Sequence, residues 1–154
     1  MTPEKVTRPA TVAVGRYAAL ALRRDVSLGV LLSTHPRDFG VLLAAAAQAF
    51  PKCREFSERE VNDLLRAFLG DAGSMLGTDH VELRRWLVDF HVLDRDGYGR
   101  VYTAGAPAAD IADSCGQLAG VDHRAVARAA RDQDAALRAQ RKERWQNAER
   151  DSHG

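Results

Sequence analysis

Four residues, Ser57-Glu58-Arg59-Glu60, constrain the fold of this chain more than any others. In an S-x-x-E box the Ser57 hydroxyl accepts the N–H of Glu60, and the Glu60 side chain reaches back to the Ser57 N–H. A helix must therefore start here. Val61, Leu64, Leu65 and Phe68 then recur at helical spacing, and Gly70 stops the run. Asp71 to Gly77 reads as a loop, with Thr78 as the expected N-cap of a further helix to about Phe90. Leu83, Trp86, Leu87 and Phe90 share one face of that helix, Arg85 points the other way and Arg84 lies on the flank. Next, Asp96-Gly97-Tyr98-Gly99 sits between two short apolar runs, the mark of a β-hairpin.

An earlier helix is expected over Pro36 to Phe50. Asp38 lies in its first turn, Val41, Leu42, Ala45, Ala46 and Ala49 supply its apolar face, and Pro51 closes it. Helix, helix, helix, hairpin is the order of a winged helix, in which the second helix of a helix-turn-helix can enter a groove and a wing follows. The expected fold is α+β, mostly α: a winged-helix core (helix-turn-helix plus β-hairpin) with N- and C-terminal helical extensions. An N-terminal extension covers 1–35, the winged-helix-like domain 36–103, a linker 104–121, and a C-terminal helix and tail 122–154. Within the extensions, Met1 to Arg8 is a polar lead, Ala10 to Arg24 a loosely periodic helix, and Val26 to Leu32 either strand or helix turn. Asp110 to Leu118 is a short helix. Asp122 caps a long polar helix from His123 to about Glu149, whose apolar stripe of Val126, Ala130, Leu137 and Trp145 is sparse.

Charge narrows the partners. The 154 residues carry 22 basic and 21 acidic side chains, a net charge of +1, so any attraction for nucleic acid must be local. Met1 to Gly40 is +3 and Val121 to Gly154 is +2, whereas Asp79 to Gly120, with four basic and seven acidic residues, is −3. A strong DNA binder usually concentrates positive charge on its reading element. Cys53 and Cys115 form no C-x-x-C pair and read as free thiols of a reducing, cytoplasmic setting. No run approaches the ~18 apolar residues a membrane span needs.

The stretch from Phe50 to Thr103 resembles a bacterial family, the domain-of-unknown-function family 2087. The resemblance rests on Ser57 to Leu65, Asp79 to Asp89, Val92 to Arg95 and Gly97 to Tyr102. It implies a winged-helix fold and an association with transcription regulation, and brings no enzymatic activity. His91 stands where the family usually has Gly, at a position expected to need a left-handed backbone, which His tolerates better than a β-branched residue.

Arg84 and Arg85, with Arg95 and Arg100 on the hairpin, form the candidate DNA-binding set, and Tyr98 at the hairpin tip could reach a minor groove. The competing reading is structural: Glu82, Asp89, Asp94 and Asp96 are close enough to neutralise these arginines, and Arg84 could pair with the capping-box helix. Clustered arginines would favour double-stranded DNA. Arginines each paired to a carboxylate would favour a non-enzymatic protein–protein module using the winged scaffold and the C-terminal helix. A homodimer through the terminal helices is the expected assembly. No nucleophile motif, phosphate loop or dinucleotide fingerprint is present, so neither catalysis nor a cofactor is expected. The histidines lack metal-ligand spacing; a zinc site could come only from His80, His91 and Cys115 meeting in space.

Overall fold

The structure, a computed structural model, describes residues 11–152. The polar lead Met1 to Arg8 lies outside the described residues. The elements run α1 (Val12–Leu20), α2 (Leu28–Thr34), α3 (Pro36–Ala47), β1 (Phe56–Ser57), α4 (Glu58–Leu69), α5 (His80–Asp89), β2 (Leu93–Arg95), β3 (Val101–Ala104), α6 (Ala109–Leu118) and α7 (His123–Ser152). The fold is α+β and mostly helical, with one small antiparallel sheet in the order β1-β3-β2. Phe56 pairs with Tyr102 on one side of β3, and Leu93, Asp94 and Arg95 pair with Ala104, Thr103 and Tyr102 on the other.

The helix α3 is the axis of the core. Its Pro36 occupies the first turn, where the missing N–H does no harm, and every residue from Phe39 to Ala46 is buried. Only a helix covered on all sides can be apolar all round. Here α1, α2 and α6 pack against it, and Phe39 meets Trp86 and Phe90 of the α5 turn edge-on, at 5.4 and 4.8 Å between ring centres. Such aromatic pairs add ~0.5–1.5 kcal/mol each beyond their burial. Phe50 beyond the end of α3 meets Phe56 of β1 at 5.5 Å. One core cluster therefore joins Tyr17, Leu28, Phe39, Leu65, Leu87, Tyr102, Ile111 and Leu118.

The capping box forms as expected, with Ser57 Oγ accepting from Glu60 N–H at 3.1 Å and Glu60 Oε1 accepting from Ser57 N–H at 3.3 Å. One local expectation needs correction, and one left open is settled. The N-cap of α5 is Asp79, not Thr78: Asp79 Oδ1 accepts the Glu82 N–H at 2.8 Å, while the Thr78 hydroxyl donates to Glu82 Oε2 at 2.7 Å. A carboxylate at a helix N-terminus gains from the dipole as well as the hydrogen bond, and an alcohol does not. The run from Val26 is both alternatives in turn: Val26 bridges Leu76 in parallel, and Ser27 then caps α2.

At its far end α5 closes in a Schellman turn. The His91 N–H donates to Val88 O at 3.1 Å and the Val92 N–H to Leu87 O at 2.9 Å, with His91 at φ 59° as anticipated. Gly105 lies so close to this turn that a Cβ there would sit 2.3 Å from the His91 carbonyl oxygen. The turn thus directs the chain from α5 straight into β2 and pins the hairpin against it.

Candidate nucleic-acid interface

Successive residues on a helix are ~100° apart, and this rotation separates Arg84 from Arg85. Arg84 turns toward α4. Its Nη1 lies 2.6 Å from Asn62 Oδ1 and 3.3 Å from Glu58 Oε1, and its side chain is 19% exposed. It is committed to the joint between the two helices. Arg85 points to solvent from the outward face of α5, beside Asp79, Glu82 and Asp89. Leu83 and Leu87 on the inward face are fully buried, which fixes the orientation of the whole helix.

The hairpin delivers a third arginine to the same place. The register that sets Arg95 opposite Tyr102 brings it to the edge of α5. Arg84, Arg85, Asp89, Arg95 and Tyr102 share the walls of a shallow recess of about 200 Å³. Tyr102 is fully buried, and its hydroxyl has no hydrogen-bond partner among the described residues. Arg100 and Tyr98 do not line this recess. Tyr98 stands at the hairpin tip, 87% exposed, and Arg100 is exposed at the start of the returning strand.

Asp96 makes the tip rigid. Its Oδ1 accepts the Arg100 N–H at 2.7 Å and the Val101 N–H at 3.3 Å, and these backbone bonds, the Arg100 one foremost, hold its carboxyl below the usual aspartate value. Gly99 at φ 68° completes the turn. Among the described residues Arg85, Arg95 and Arg100 have no carboxylate within 4.0 Å, whereas Arg84 does. Of the five candidate residues, then, the structure gathers Arg84, Arg85 and Arg95, ties Arg84 down, and leaves Tyr98 and Arg100 apart on the hairpin.

Asn62 and Tyr102 were not singled out from sequence. The alternation Val101-Tyr102-Thr103 in a hairpin strand was a usable signal for an inward Tyr102. The expected pairing of Arg84 with the capping-box helix forms, through Glu58 and Asn62, although nothing in the sequence set Asn62 apart from its neighbours on that helix. Three residues raised for zinc stay apart: the His80 ring faces Arg66 at 3.3 Å, His91 lies beside Asp94, and Cys115 is on α6. Among the described residues no three His, Cys, Asp or Glu side chains are placed to hold a metal ion. No described helix is long and apolar enough to cross a membrane.

Residues 32–104 match the model of a family described as an uncharacterized protein conserved in bacteria (DUF2087). The match runs from within α2 to the end of β3 and encloses every residue of the recess. No curated protein and no solved structure matches the chain.

Proposed function

We propose that this protein is a non-enzymatic, winged-helix DNA-binding transcriptional regulator, with α5 as the helix presented to the major groove and the β2–β3 hairpin as the wing. The observation that carries this reading is the convergence of Arg85 and Arg95, from two different elements, on one open recess with neither paired to a carboxylate. The element order α3, β1, α4, α5, β2, β3 with the sheet order β1-β3-β2 supports it. Arg85 approaches base edges, Arg95 and Arg100 meet phosphates, and Tyr98 probes the neighbouring groove. Arg84 is a positioning residue that holds α5 at its angle to α4. The region 79–104 carries Asp79, Glu82, Asp89, Asp94 and Asp96 against four arginines, so affinity depends on a few local contacts and not on a broad field.

A second reading, a protein–protein module, is favoured by α7. This helix is 30 residues long, about 45 Å at 1.5 Å per residue, and every residue from Ala135 to Ser152 is exposed, with Trp145 at 64%. In the DNA-binding reading the same arm pairs two copies. A mobility-shift assay on fragments upstream of the protein's own coding region, at two salt concentrations, separates the two. A sequence-dependent shift that disappears in Arg85→Ala is expected. No shift at low salt, with partner capture or self-association abolished on removing residues 123–154, would replace the DNA reading with the interaction module.

A further inference from the structure

A large open cleft of about 790 Å³ lies away from the hairpin, between the turn after α1, the loop before α5 and the middle of α7. Arg23, Arg24, Arg131 and Arg138 stand on its walls against two carboxylates, Asp25 and Asp134. Asp134 is already paired within α7, its Oδ2 lying 3.1 Å from Arg138 Nε. Among the described residues Arg23, Arg24 and Arg131 have no carboxylate within 4.0 Å. Three unpaired guanidinium groups around one concavity repel each other unless an anion lies between them.

The walls are held in place by specific contacts. The first turn of α7 is fixed by Arg124, which forks onto Asp71 with Nη2 2.7 Å from Oδ2 and Nε 3.2 Å from both oxygens. The His123 ring meets Tyr17 edge-on at 5.0 Å, and the Tyr17 hydroxyl donates to Ala72 O at 2.7 Å. Two turns further along, Arg131 Nη2 reaches Ser74 Oγ at 3.5 Å. The opposite wall is set by the bridge of Val26 to the loop, with Val26 N–H on Met75 O at 2.9 Å and Gly77 N–H on Val26 O at 3.0 Å. A Cβ on Gly77 would come 3.0 Å from Asp25 Cα, so this backbone pair packs closely and directs Arg23 and Arg24 into the cleft.

We propose that this cleft binds a small polyanion, a metabolite carrying two or more phosphate or carboxylate groups, gripped between the Arg23-Arg24 turn and Arg131. Arginine forks match both groups. Cationic groups on separate elements need at least two anionic groups to engage them together, and the volume suits a metabolite. A cleft of about 790 Å³ has the size of a small-molecule site and is too small to take in the body of a duplex. The site is independent of the DNA-binding reading.

Inorganic pyrophosphate and citrate, titrated calorimetrically into the full chain at matched ionic strength, test the proposal. Saturable one-to-one binding of at least one is expected. Arg131→Ala and an Arg23→Ala/Arg24→Ala double variant should each weaken it by about tenfold or more, the effect of removing a charge-assisted hydrogen bond. Asp134→Asn, which removes a competing carboxylate, should tighten it, and Arg128→Ala, an equal charge change elsewhere on α7, should leave it unchanged. Absence of saturable binding of both probes, or equal weakening in Arg128→Ala and Arg131→Ala, would overturn the site. So would a chain that binds neither probe but loses duplex affinity in Arg131→Ala, which would assign these arginines to nucleic acid.

Discussion

The inner and outer sides of the α5–hairpin unit have opposite construction. Inward, Leu83, Leu87 and Tyr102 are wholly buried, and even the charged Arg84 is closed off by Asn62 and Glu58. Outward, Arg85, Arg95 and Arg100 keep their charge for solvent, and Tyr98 is almost bare. Arg84 and Arg85 are the same residue one position apart, yet one belongs to the scaffold and the other to the surface that can meet a partner. Chemical type does not sort them; the helical rotation fixed by the buried leucines does.

The contrast can be broken most forcefully from the inside. Leu87→Ala should cost about 2–5 kcal/mol in chemical denaturation, since it removes a large core side chain and leaves a cavity. Arg84→Ala should cost about 1–2 kcal/mol, because Asn62 and Glu58 lose their shared cation, while Arg85→Ala should stay within about 0.5 kcal/mol. Equal effects for the two arginines would erase the distinction between the two sides. Ser57→Ala should cost about 1 kcal/mol, the worth of its N-cap hydrogen bond. A cost above that of Leu87→Ala would mean the core is not where the fold places it.

A gentler perturbation acts at the base of α7. Burial disfavours the charged His123 ring and holds its pKa below the usual value, against small opposing contributions from the Val121 carbonyl and Asp122. The unfolded chain therefore takes up this proton first as the pH falls. The stability due to neutral His123 is intact above the unfolded value, about 6.5, and declines as the pH drops from there toward the folded pKa. Thermal denaturation from pH 7.5 to 5 should show this decline, and His123→Phe should flatten it. An identical pH profile in both proteins would mean that the ring is not shielded.

Much of this architecture could be read from local signals. The capping box and the turn at Asp96 to Gly99 follow from residue chemistry within a few positions, the left-handed His91 from the family resemblance, and each formed as expected. The strand β1 could not be read, because two residues carry no period-2 pattern; it exists only because Phe56 finds Tyr102 across the sheet. Asp79 displaced Thr78 as the cap, in line with the stronger N-cap preference of aspartate and the gain of its charge from the helix dipole. The candidate arginines were identifiable as a group from sequence. The division of Arg84 from Arg85 also followed from helical spacing, and Arg84 pairs with the capping-box helix as that spacing allowed; what no local signal encodes is the hairpin register that brings Arg95 to the same recess.

The central claim, that the outer side meets DNA through a few unpaired arginines, is tested most directly by the salt dependence of duplex affinity. Wild type, Arg85→Ala, Arg95→Ala and Arg100→Ala should be titrated with one duplex over a range of salt. Removing one arginine–phosphate ion pair should lower the slope of log affinity against log salt by about 0.9. Flatter slopes are therefore expected for Arg95→Ala and Arg100→Ala, with all sequences weakened alike. Arg85→Ala should in addition lose about 1–3 kcal/mol of discrimination between sites if it reads a guanine. Four identical slopes, or a wild type that binds no duplex at low salt, would contradict the account.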